Sequence, residues 1–349
     1  MSGGGTFPQK IGIVAIGRNE GDRLKACVRS IPAGVPLIYV DSGSSDDSAA
    51  FARQHGATVV ELDMAQPFTA ARARNAGRRA LAEQFPALSA IQFVDGDCVI
   101  EPSWLETASA ALSANPRLAA VFGRRREKFP EATLYNRLCD DEWNVLVGLV
   151  ASCGGDVLMR AEAFDEAGGY ADDLIAGEEP DLCLRLGQKG WLIERIDAPM
   201  TLHDAAMSRF GQWWRRAQRS GHAYAEHVWR HGQNAFHDWR RQLASILLWG
   251  ALFPAVMIAG TLICLTLLNA GCRLAAIIPL LAVPCIYAGQ WLRIMVRKRK
   301  SGADTGFAAR YAALMLLGKF AEFTGVLRCW LGHAAGRKAH IIEYKAPPA

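Results

Sequence analysis

Several common functional signatures are missing from this chain of 349 residues. No G-x-x-x-x-G-K-[ST] loop occurs, and no G-x-G-x-x-G follows an apolar run, which argues against a helicase and against a dinucleotide-dependent oxidoreductase. The nine cysteines show neither a Cys-x-x-Cys pair nor zinc-finger spacing, so we expect buried thiols in a reducing compartment rather than a disulfide framework. The N-terminal residues lack the apolar stretch of a signal peptide, and we expect residues 1–9 to form a flexible N-terminus.

Acidic side chains are scarce after Leu243. That part holds twelve Lys or Arg against three Asp or Glu, whereas the preceding part holds 27 against 31. With 51% hydrophobic residues and a mean hydropathy of +0.07, the composition excludes a disordered chain. An acidic soluble part joined to a basic, apolar tail predicts a membrane surface, and not nucleic acid, as the partner.

The tail contains two runs without any charged residue, at 243–268 and 274–292. At about 1.5 Å per residue, the first run exceeds the ~30 Å hydrocarbon thickness of a bilayer. Basic residues at 240–241 and 297–300 flank the runs, whereas the turn between them offers only Arg273. The positive-inside rule therefore predicts a transmembrane hairpin in the inner or cytoplasmic membrane, with the preceding domain on the cytoplasmic side. A buried helical hairpin in a soluble core is the alternative.

The segment from Phe307 to Trp330 is apolar but interrupted by four charged residues. We predict an amphipathic helix in the membrane interface, with a third span as the alternative. The predicted organisation has four parts: a flexible N-terminus at 1–9, a catalytic domain at 10–232, juxtamembrane and transmembrane segments at 233–300, and an interfacial helix with a C-terminal tail at 301–349.

In the first part of the chain, short apolar runs alternate with helical patterns. The predicted strands are 11–16, 35–40, 57–62 and 90–94. This alternation predicts an α/β fold with a parallel, doubly wound sheet. Polar segments at 17–20, 41–46 and 95–97 each follow a strand. Ligands bind at the carboxyl ends of such strands, so we expect one site at this edge.

Asp95-Gly96-Asp97 places two carboxylates on the same face of an extended tripeptide. Two like charges this close repel each other unless a cation lies between them. Carboxylate oxygens are hard ligands that favour Mg²⁺ or Mn²⁺. The motif predicts a divalent cation site at the end of the strand.

Five motif segments follow one another along the chain: Val40–Asp46, Ala73–Gly77, Asp95–Asp97, Gly177–Leu182 and Gln212–Arg216. Through them the chain from Lys10 to Trp229 resembles the family 2 glycosyltransferases. The resemblance implies the GT-A fold, a Rossmann-like, mostly parallel mixed sheet with helices on both faces. Ser42, Glu179 and Arg216 depart from the family residues Asp, Asp and Trp.

The resemblance also implies a nucleotide-sugar donor, by default a UDP-sugar, and Mn²⁺ or Mg²⁺ as cofactor. It implies that the nucleotide is bound by Glu20, Asp41, Arg74 and Asp95. Asp97 would hold the metal and so neutralise the departing diphosphate. His203 is the predicted additional metal ligand, with a core or solvated histidine as the alternative.

Glu179 is the predicted catalytic base. In an inverting transfer, a carboxylate deprotonates the acceptor hydroxyl as it attacks the anomeric carbon. Glu carries one methylene more than the family Asp, so the backbone at Glu179 must lie correspondingly farther from the acceptor. If it does not, Glu178 or Asp181 is the alternative catalytic base. The Glu178-Glu179 pair also suits a helix N-terminus, and both interpretations can hold together.

Contacts to the donor, the acceptor or the diphosphate are predicted for six residues: Asp156, Glu178, Gln212, Trp214, Arg215 and Arg216. The two arginines suit a diphosphate or an anionic lipid head group, with a solvated juxtamembrane face as the alternative. For Arg124, Arg125 and Arg126 we expect a solvated or membrane-facing surface.

Together these features predict a membrane-anchored, inverting glycosyltransferase that moves a sugar to a hydroxyl of a lipid-linked saccharide in polysaccharide or envelope glycan synthesis. One alternative is transfer to polyprenyl phosphate, whose ionised oxygen needs no base. Another is a non-catalytic membrane scaffold with a degenerate transferase domain.

Overall fold

The computed structural model describes residues 10–266, 270–337 and 340–343. The chain divides into two compact units, the first running to Gln212 and the second from Trp213 to Arg337. The flexible N-terminus predicted at 1–9, residue 269 of the predicted turn and the tail beyond residue 343 lie outside the described residues. The predicted domain limit at residue 232 stays a prediction.

Strands and helices alternate in the first unit, as expected from the apolar runs. The strands are β1 Ile11–Gly17, β2 Leu37–Asp41, β3 Thr58–Glu61, β4 Ala90–Asp95, β5 Cys98–Ile100, β6 Leu118–Glu127, β7 Gly148–Val150, β8 Val157–Arg160 and β9 Leu192–His203. The helices are α1 Asp22–Ser30, α2 Ser48–Gln54, α3 Ala70–Gln84, α4 Trp104–Ala114, α5 Leu134–Glu142, α6 Ala161–Glu166 and α7 Glu178–Gln188.

The strands form a mixed nine-stranded sheet in the order β3-β2-β1-β4-β8-β6-β9-β5, with β7 paired to β9. The β3-β2-β1-β4 half is parallel, whereas β8 runs antiparallel to both of its neighbours. Gly17 pairs with Asp41 and Ile16 pairs with Asp95. The carboxyl ends of three neighbouring strands therefore meet at one edge, where the sequence predicts the site.

Helix α3 packs against this sheet at Gly77, which faces β1 and β2. A Cβ atom at Gly77 would overlap the side chain of Val14, and it would lie 3.0 Å from Val40 Cγ2. The glycine of the Ala73–Gly77 motif thus lets the helix approach the buried strands β1 and β2. This approach brings the same turn of α3, including Arg74, under the carboxyl edge of the sheet.

The second unit is helical. It contains α8 Phe210–His231, whose first three residues belong to the first unit, α9 His237–Leu247, a π-helical stretch at Leu248–Leu252, α10 Phe253–Thr266, α11 Ala270–Lys300 and α12 Thr305–Ala334. Helices α8, α9 and α12 share a buried apolar cluster that includes Ala225, Ile246 and Val326.

Among the described residues, one helical stretch, His237–Ile263, is long and apolar enough to cross a membrane. It overlaps the predicted span at 243–268. The second predicted span falls within α11, whose side chains are described only from residue 280 onward, and it stays a prediction. The interfacial position expected for residues 307–330, which lie within α12, is likewise still a prediction.

Candidate active site

Arg74 is the centre of a buried ionic network. Helix α3 begins after Thr69, whose hydroxyl oxygen caps the first turn, and it presents Arg74 with a side chain only 3% exposed. The guanidinium donates from Nη2 to Asp95 Oδ1 at 2.9 Å and from Nη1 to Glu178 Oε1 at 3.0 Å and Glu179 Oε1 at 3.3 Å. One cation therefore joins the strand-end motif to the acidic motif, whose Glu178 lies 83 residues after Asp95.

The acidic motif forms the first turn of α7. Gly177 has a φ of 85°, in the left-handed region that favours glycine, and the helix starts at the next residue. Asp181 pairs with Arg185 at 2.7 Å, and the Glu178 side chain is 3% exposed. Glu179, at 18% exposed, is the most accessible of the three carboxylates. Of the predicted base and its two rivals, it is the one best placed to meet a substrate.

The pKa of Glu179 is raised to about 7. Burial is the largest cause, the neighbouring Glu178 carboxylate adds to it, and Arg74 opposes both. A carboxylate with a pKa near neutrality is a stronger base than an ordinary Glu while it is still ionised above that pH. This environment suits a group that must take a proton from a hydroxyl.

Asp156 and Arg125 hold Asp95 from its other side. Asp156 Oδ1 accepts a hydrogen bond from the Asp95 backbone N–H at 3.0 Å, and Oδ2 accepts one from the Thr201 hydroxyl at 2.8 Å. Arg125 Nη2 lies 3.4 Å from Asp95 Oδ2, with its guanidinium 4.8 Å from the centre of the Trp143 ring. The Asp156 side chain is also 0% exposed, and this complete burial favours a positioning role over the predicted substrate contact.

Arg125 corrects the expectation that all three consecutive arginines face solvent or membrane. Side chains alternate along β6, so Arg125 points into the site, whereas Arg124 and Arg126 point the other way and pair with Asp140 at 3.3 Å and 3.2 Å. The Arg126 side chain is 53% exposed, whereas those of Arg124 and Arg125 are 17% and 16% exposed, so only Arg126 fits the expected solvated surface. The sequence alone does not tell which face of β6 enters the site, and the pairing of β6 with β9 is irregular between Arg124 and Arg125.

Asp97 and His203 meet where β5 and β9 pair. Asp97 Oδ2 lies 3.2 Å from His203 Nε2, and His203 Nδ1 lies 3.6 Å from Glu127 Oε2. Two ligands of a six-coordinate cation with bonds of about 2.1 Å are roughly 3.0 Å apart, so this oxygen–nitrogen pair fits a divalent ion. Cys98 Sγ belongs to the same group of possible ligand atoms, all of which lie within 4.8 Å of one another.

Glu127 is a functional candidate that sequence reasoning missed. A metal-bound histidine usually presents its second nitrogen to a carboxylate, and Glu127 is the carboxylate on that side of His203, at a separation of 3.6 Å that is longer than a hydrogen bond. Glu127 is 2% exposed and itself held by a hydrogen bond from the Ala205 backbone N–H at 3.0 Å. Because it is 76 residues away from His203 along the chain, no local spacing marks the pair.

Asp41 organises the loop that follows β2. Its Oδ2 accepts hydrogen bonds from the backbone N–H groups of Gly43 at 3.1 Å and Ser44 at 2.8 Å, and its Oδ1 accepts one from Tyr39 Oη at 3.1 Å. The loop is thereby fixed beside the end of β1. A nucleoside could dock against this rigid edge, and Asp41 stays a predicted nucleotide ligand.

The loop after β1 completes this edge. Asn19 adopts a φ of 54°, and its side-chain oxygen accepts a hydrogen bond from the Ser45 backbone N–H at 2.7 Å, which ties the two loops together. Glu20 lies over the strand ends, with its Cγ 3.2 Å and 3.5 Å from where Cβ atoms of Gly17 and Gly96 would stand. Asn19 is a positioning residue that the sequence motifs did not reveal.

The first three motifs, which contain Asp41, Arg74 and Asp97, lie in a segment that matches a known family. Residues 13–147 match the sequence model of the family Glycosyl transferase family 2. This segment is a family 2 glycosyltransferase domain. The family match and the mixed sheet confirm the predicted α/β fold class. The match includes Asp41, Arg74 and Asp97, whereas Glu179 and His203 follow it.

Solved structures with a similar backbone include mannosyltransferase PcManGT from Pyrobaculum calidifontis in complex with GDP-Man and Mn²⁺. It is 19% identical, with 80% of this chain and 87% of that chain covered and a TM-score of 0.47. Another is glucosyl-3-phosphoglycerate synthase from Mycobacterium tuberculosis in complex with Mn²⁺, UDP and glucosyl-3-phosphoglycerate. It is 21% identical, with 64% and 80% covered and a TM-score of 0.46. At these values the likeness defines neither donor nor acceptor for this chain.

The Gln212–Arg216 segment lies outside the family 2 match. Gln212 is buried, and its Oε1 accepts hydrogen bonds from the backbone N–H groups of Ser208 and Arg209, both at 2.9 Å, so it caps the turn before α8. Trp214, Arg215 and Arg216 belong to the second unit. Their predicted contacts to a diphosphate or a lipid head group stay predictions.

Replacing Gly155 by Ala is expected to disturb the Arg74 network, because the added Cβ would overlap Arg74 Nη2 and lie 3.2 Å from Glu179 Oε1. Overpacking of this kind costs about 1–3 kcal/mol. We expect a lower melting temperature and at least roughly tenfold lower kcat/KM, since the ion pairs that place Glu179 must shift. The matched control is Gly154→Ala, where nothing lies within 4 Å of the new atom. Equal behaviour of the two variants would contradict the importance of the Arg74 network.

Proposed function

We propose that this protein is an inverting glycosyltransferase. It transfers a sugar from a nucleoside-diphosphate sugar, by default a UDP-sugar, to a hydroxyl of a membrane-associated, lipid-linked saccharide at the cytoplasmic face of the membrane. The observation that carries the proposal is the Arg74 network, which places the accessible Glu179 carboxylate next to the strand-end motif Asp95–Asp97.

Each part of the proposed reaction is assigned to particular side chains. Glu179 accepts the proton of the acceptor hydroxyl as the new bond to the anomeric carbon forms and the bond from that carbon to the diphosphate breaks on the opposite face. Arg74 keeps Glu179 in place and, with both terminal nitrogens engaged, acts as a positioning residue. Asp41 and Glu20 face the nucleoside, and Asp95 faces the ribose.

Asp97 and His203 would hold a divalent cation, Mn²⁺ or Mg²⁺, with Glu127 orienting the histidine. Such an ion supplies positive charge against the departing diphosphate. Carboxylate oxygens suit both ions, whereas Mg²⁺ strongly prefers oxygen ligands and the imidazole is accepted more readily by Mn²⁺.

A membrane-associated acceptor is supported by the second unit. Besides the apolar stretch His237–Ile263, this unit contains a cavity of about 460 Å³ whose lining includes Arg241, Arg293 and Arg297 and one acidic residue, Asp238. Forked guanidinium groups bind phosphate oxygens through paired hydrogen bonds. The cavity therefore suits the phosphate or diphosphate of a lipid-linked acceptor.

A donor screen tests the proposal. Purified full-length protein in detergent is heated with each of a set of nucleotide sugars, with Mn²⁺ or with a chelator, and transfer is then assayed with the best donor. Binding to the folded state at a hundredfold excess over Kd stabilises it by about 2.7 kcal/mol, so one donor should raise the melting temperature only when Mn²⁺ is present. A chain that no nucleotide sugar stabilises, and that transfers none, would instead be the non-catalytic scaffold.

The acceptor is tested with two lipids in parallel. A polyprenyl diphosphate-linked saccharide should accept the sugar, whereas polyprenyl phosphate alone should not. Efficient transfer to polyprenyl phosphate that survives Glu179→Gln would replace the proposed hydroxyl acceptor by phosphate, because an ionised phosphate needs no base.

A further inference from the structure

The second unit contains a polar cluster that the proposed reaction does not use. His222 and Glu226 are four residues apart on α8, and Cys329 and His333 are four residues apart on α12. Residues at this spacing lie on the same face of a helix. Two such pairs on facing helices converge on one point.

Glycines explain why the two helices come this close. A Cβ atom at Gly221 would overlap the backbone of Glu322, and one at Gly325 would overlap the backbone of Gln218. The helices are therefore in direct backbone contact one turn before the polar cluster. Leu243 and Ile246 of α9 belong to the same buried cluster as Cys329.

Three of these four side chains, those of His222, Glu226 and Cys329, are buried and close together, whereas the His333 side chain is 31% exposed. The ligand atoms of His222, Glu226 and Cys329 all lie within 4.8 Å of one another, and these residues are 4%, 6% and 2% exposed. Cys329 Sγ is 3.4 Å from Glu226 Oε2. Ligands of a tetrahedral zinc ion with bonds of 2.0–2.3 Å are about 3.5 Å apart, so this pair already has the required separation.

Two further observations point to a ligand. The buried Nδ1 of His222 has no hydrogen-bond partner within the described part of the chain, although a buried polar atom without one is costly. His333 Nε2 lies 2.7 Å from Glu226 Oε2, and its ring stacks on Trp229 with a centroid distance of 4.7 Å. Carboxylates that bind metals are commonly held from outside by such a partner.

We propose that His222, Glu226 and Cys329 bind a divalent transition metal of the zinc class, with His333 orienting Glu226. Imidazole and thiolate select Zn²⁺ and similar borderline-soft ions, in contrast to the oxygen-rich donor set around Asp97. The ion would join α8 to α12 across more than a hundred residues and so stabilise the helical unit. This site is independent of the proposed transferase reaction.

Cobalt titration of the full-length protein, stripped of metal and kept in detergent, tests this site. We expect one equivalent of Co²⁺ to produce the visible bands of tetrahedral Co²⁺ together with a near-ultraviolet thiolate-to-cobalt charge-transfer band. Cys329→Ser should abolish the charge-transfer band, and His222→Ala should weaken Co²⁺ binding at least tenfold. Cys285→Ser and His237→Ala, which change an exposed thiol and an exposed imidazole, should leave both unchanged.

Asp97→Asn shows which of the two proposed metal sites produces the cobalt bands. The bands should be unchanged in this variant if they come from the helical unit. Zn²⁺ should also raise the melting temperature of the unmodified protein, which requires no variant to fold. The proposal is overturned if equimolar Co²⁺ gives no charge-transfer band with the unmodified protein, or if the band persists in folded Cys329→Ser.

Discussion

Asp97→Asn is expected to lower kcat/KM for sugar transfer by roughly 10³-fold or more. The substitution keeps the size of the side chain but removes the charge that would hold a divalent cation. The second proposed ligand atom, His203 Nε2, lies 3.2 Å from Asp97 Oδ2. Charge stabilisation at a leaving group contributes several kcal/mol to a transition state, and each 1.4 kcal/mol is about a factor of ten. Steady-state kinetics over a range of Mn²⁺ concentrations, with the melting temperature measured without metal, separate catalysis from folding.

Glu127→Gln is expected to have a smaller effect on metal-dependent activity than Asp97→Asn. Because Glu127 would reach the cation only through His203, we expect an approximately 10- to 100-fold weaker apparent affinity for Mn²⁺, with kcat largely restored at saturating metal. If Asp97→Asn keeps a turnover within about threefold of the unmodified protein, the assignment of the cation to this residue fails.

Glu179→Gln is expected to lower kcat by roughly 10²–10⁴-fold, which is the usual contribution of a general base. The amide has nearly the same shape as the carboxyl group but cannot accept the proton of the acceptor hydroxyl. Donor binding, measured as the Mn²⁺-dependent thermal shift, should change little. Glu179→Asp, which restores the residue found in the family pattern, should retain part of the activity.

The same residue predicts a pH dependence. Since the pKa of Glu179 is raised to about 7, the group is protonated and inactive as a base below that pH. In the unmodified protein, kcat/KM should fall tenfold per pH unit below about 7, and in Glu179→Gln this limb should be absent. Glu162→Gln, an exposed acidic residue in the first turn of α6, is the matched control. An acid limb that persists in Glu179→Gln would assign the titration to another group.

The local patterns predicted much of the first unit. Apolar runs followed by polar clusters marked β1, β2 and β4 and the edge at which Asp41 and Asp95 lie, because the carboxyl ends of neighbouring parallel strands must meet. The Asp-x-Asp spacing indicated two carboxylates at a strand end, and the five ordered segments indicated the family. Each of these signals lies within a few residues of sequence.

The sequence by itself thus determined the α/β class, the family of the segment 13–147 and the apolar character of the tail. Only the tertiary structure decided that Arg125 points into the site, that Glu127 faces His203 and that Cys329 meets Glu226. Propensity and periodicity act over one or two turns, whereas these contacts depend on strand register and on helix packing between residues far apart in the chain.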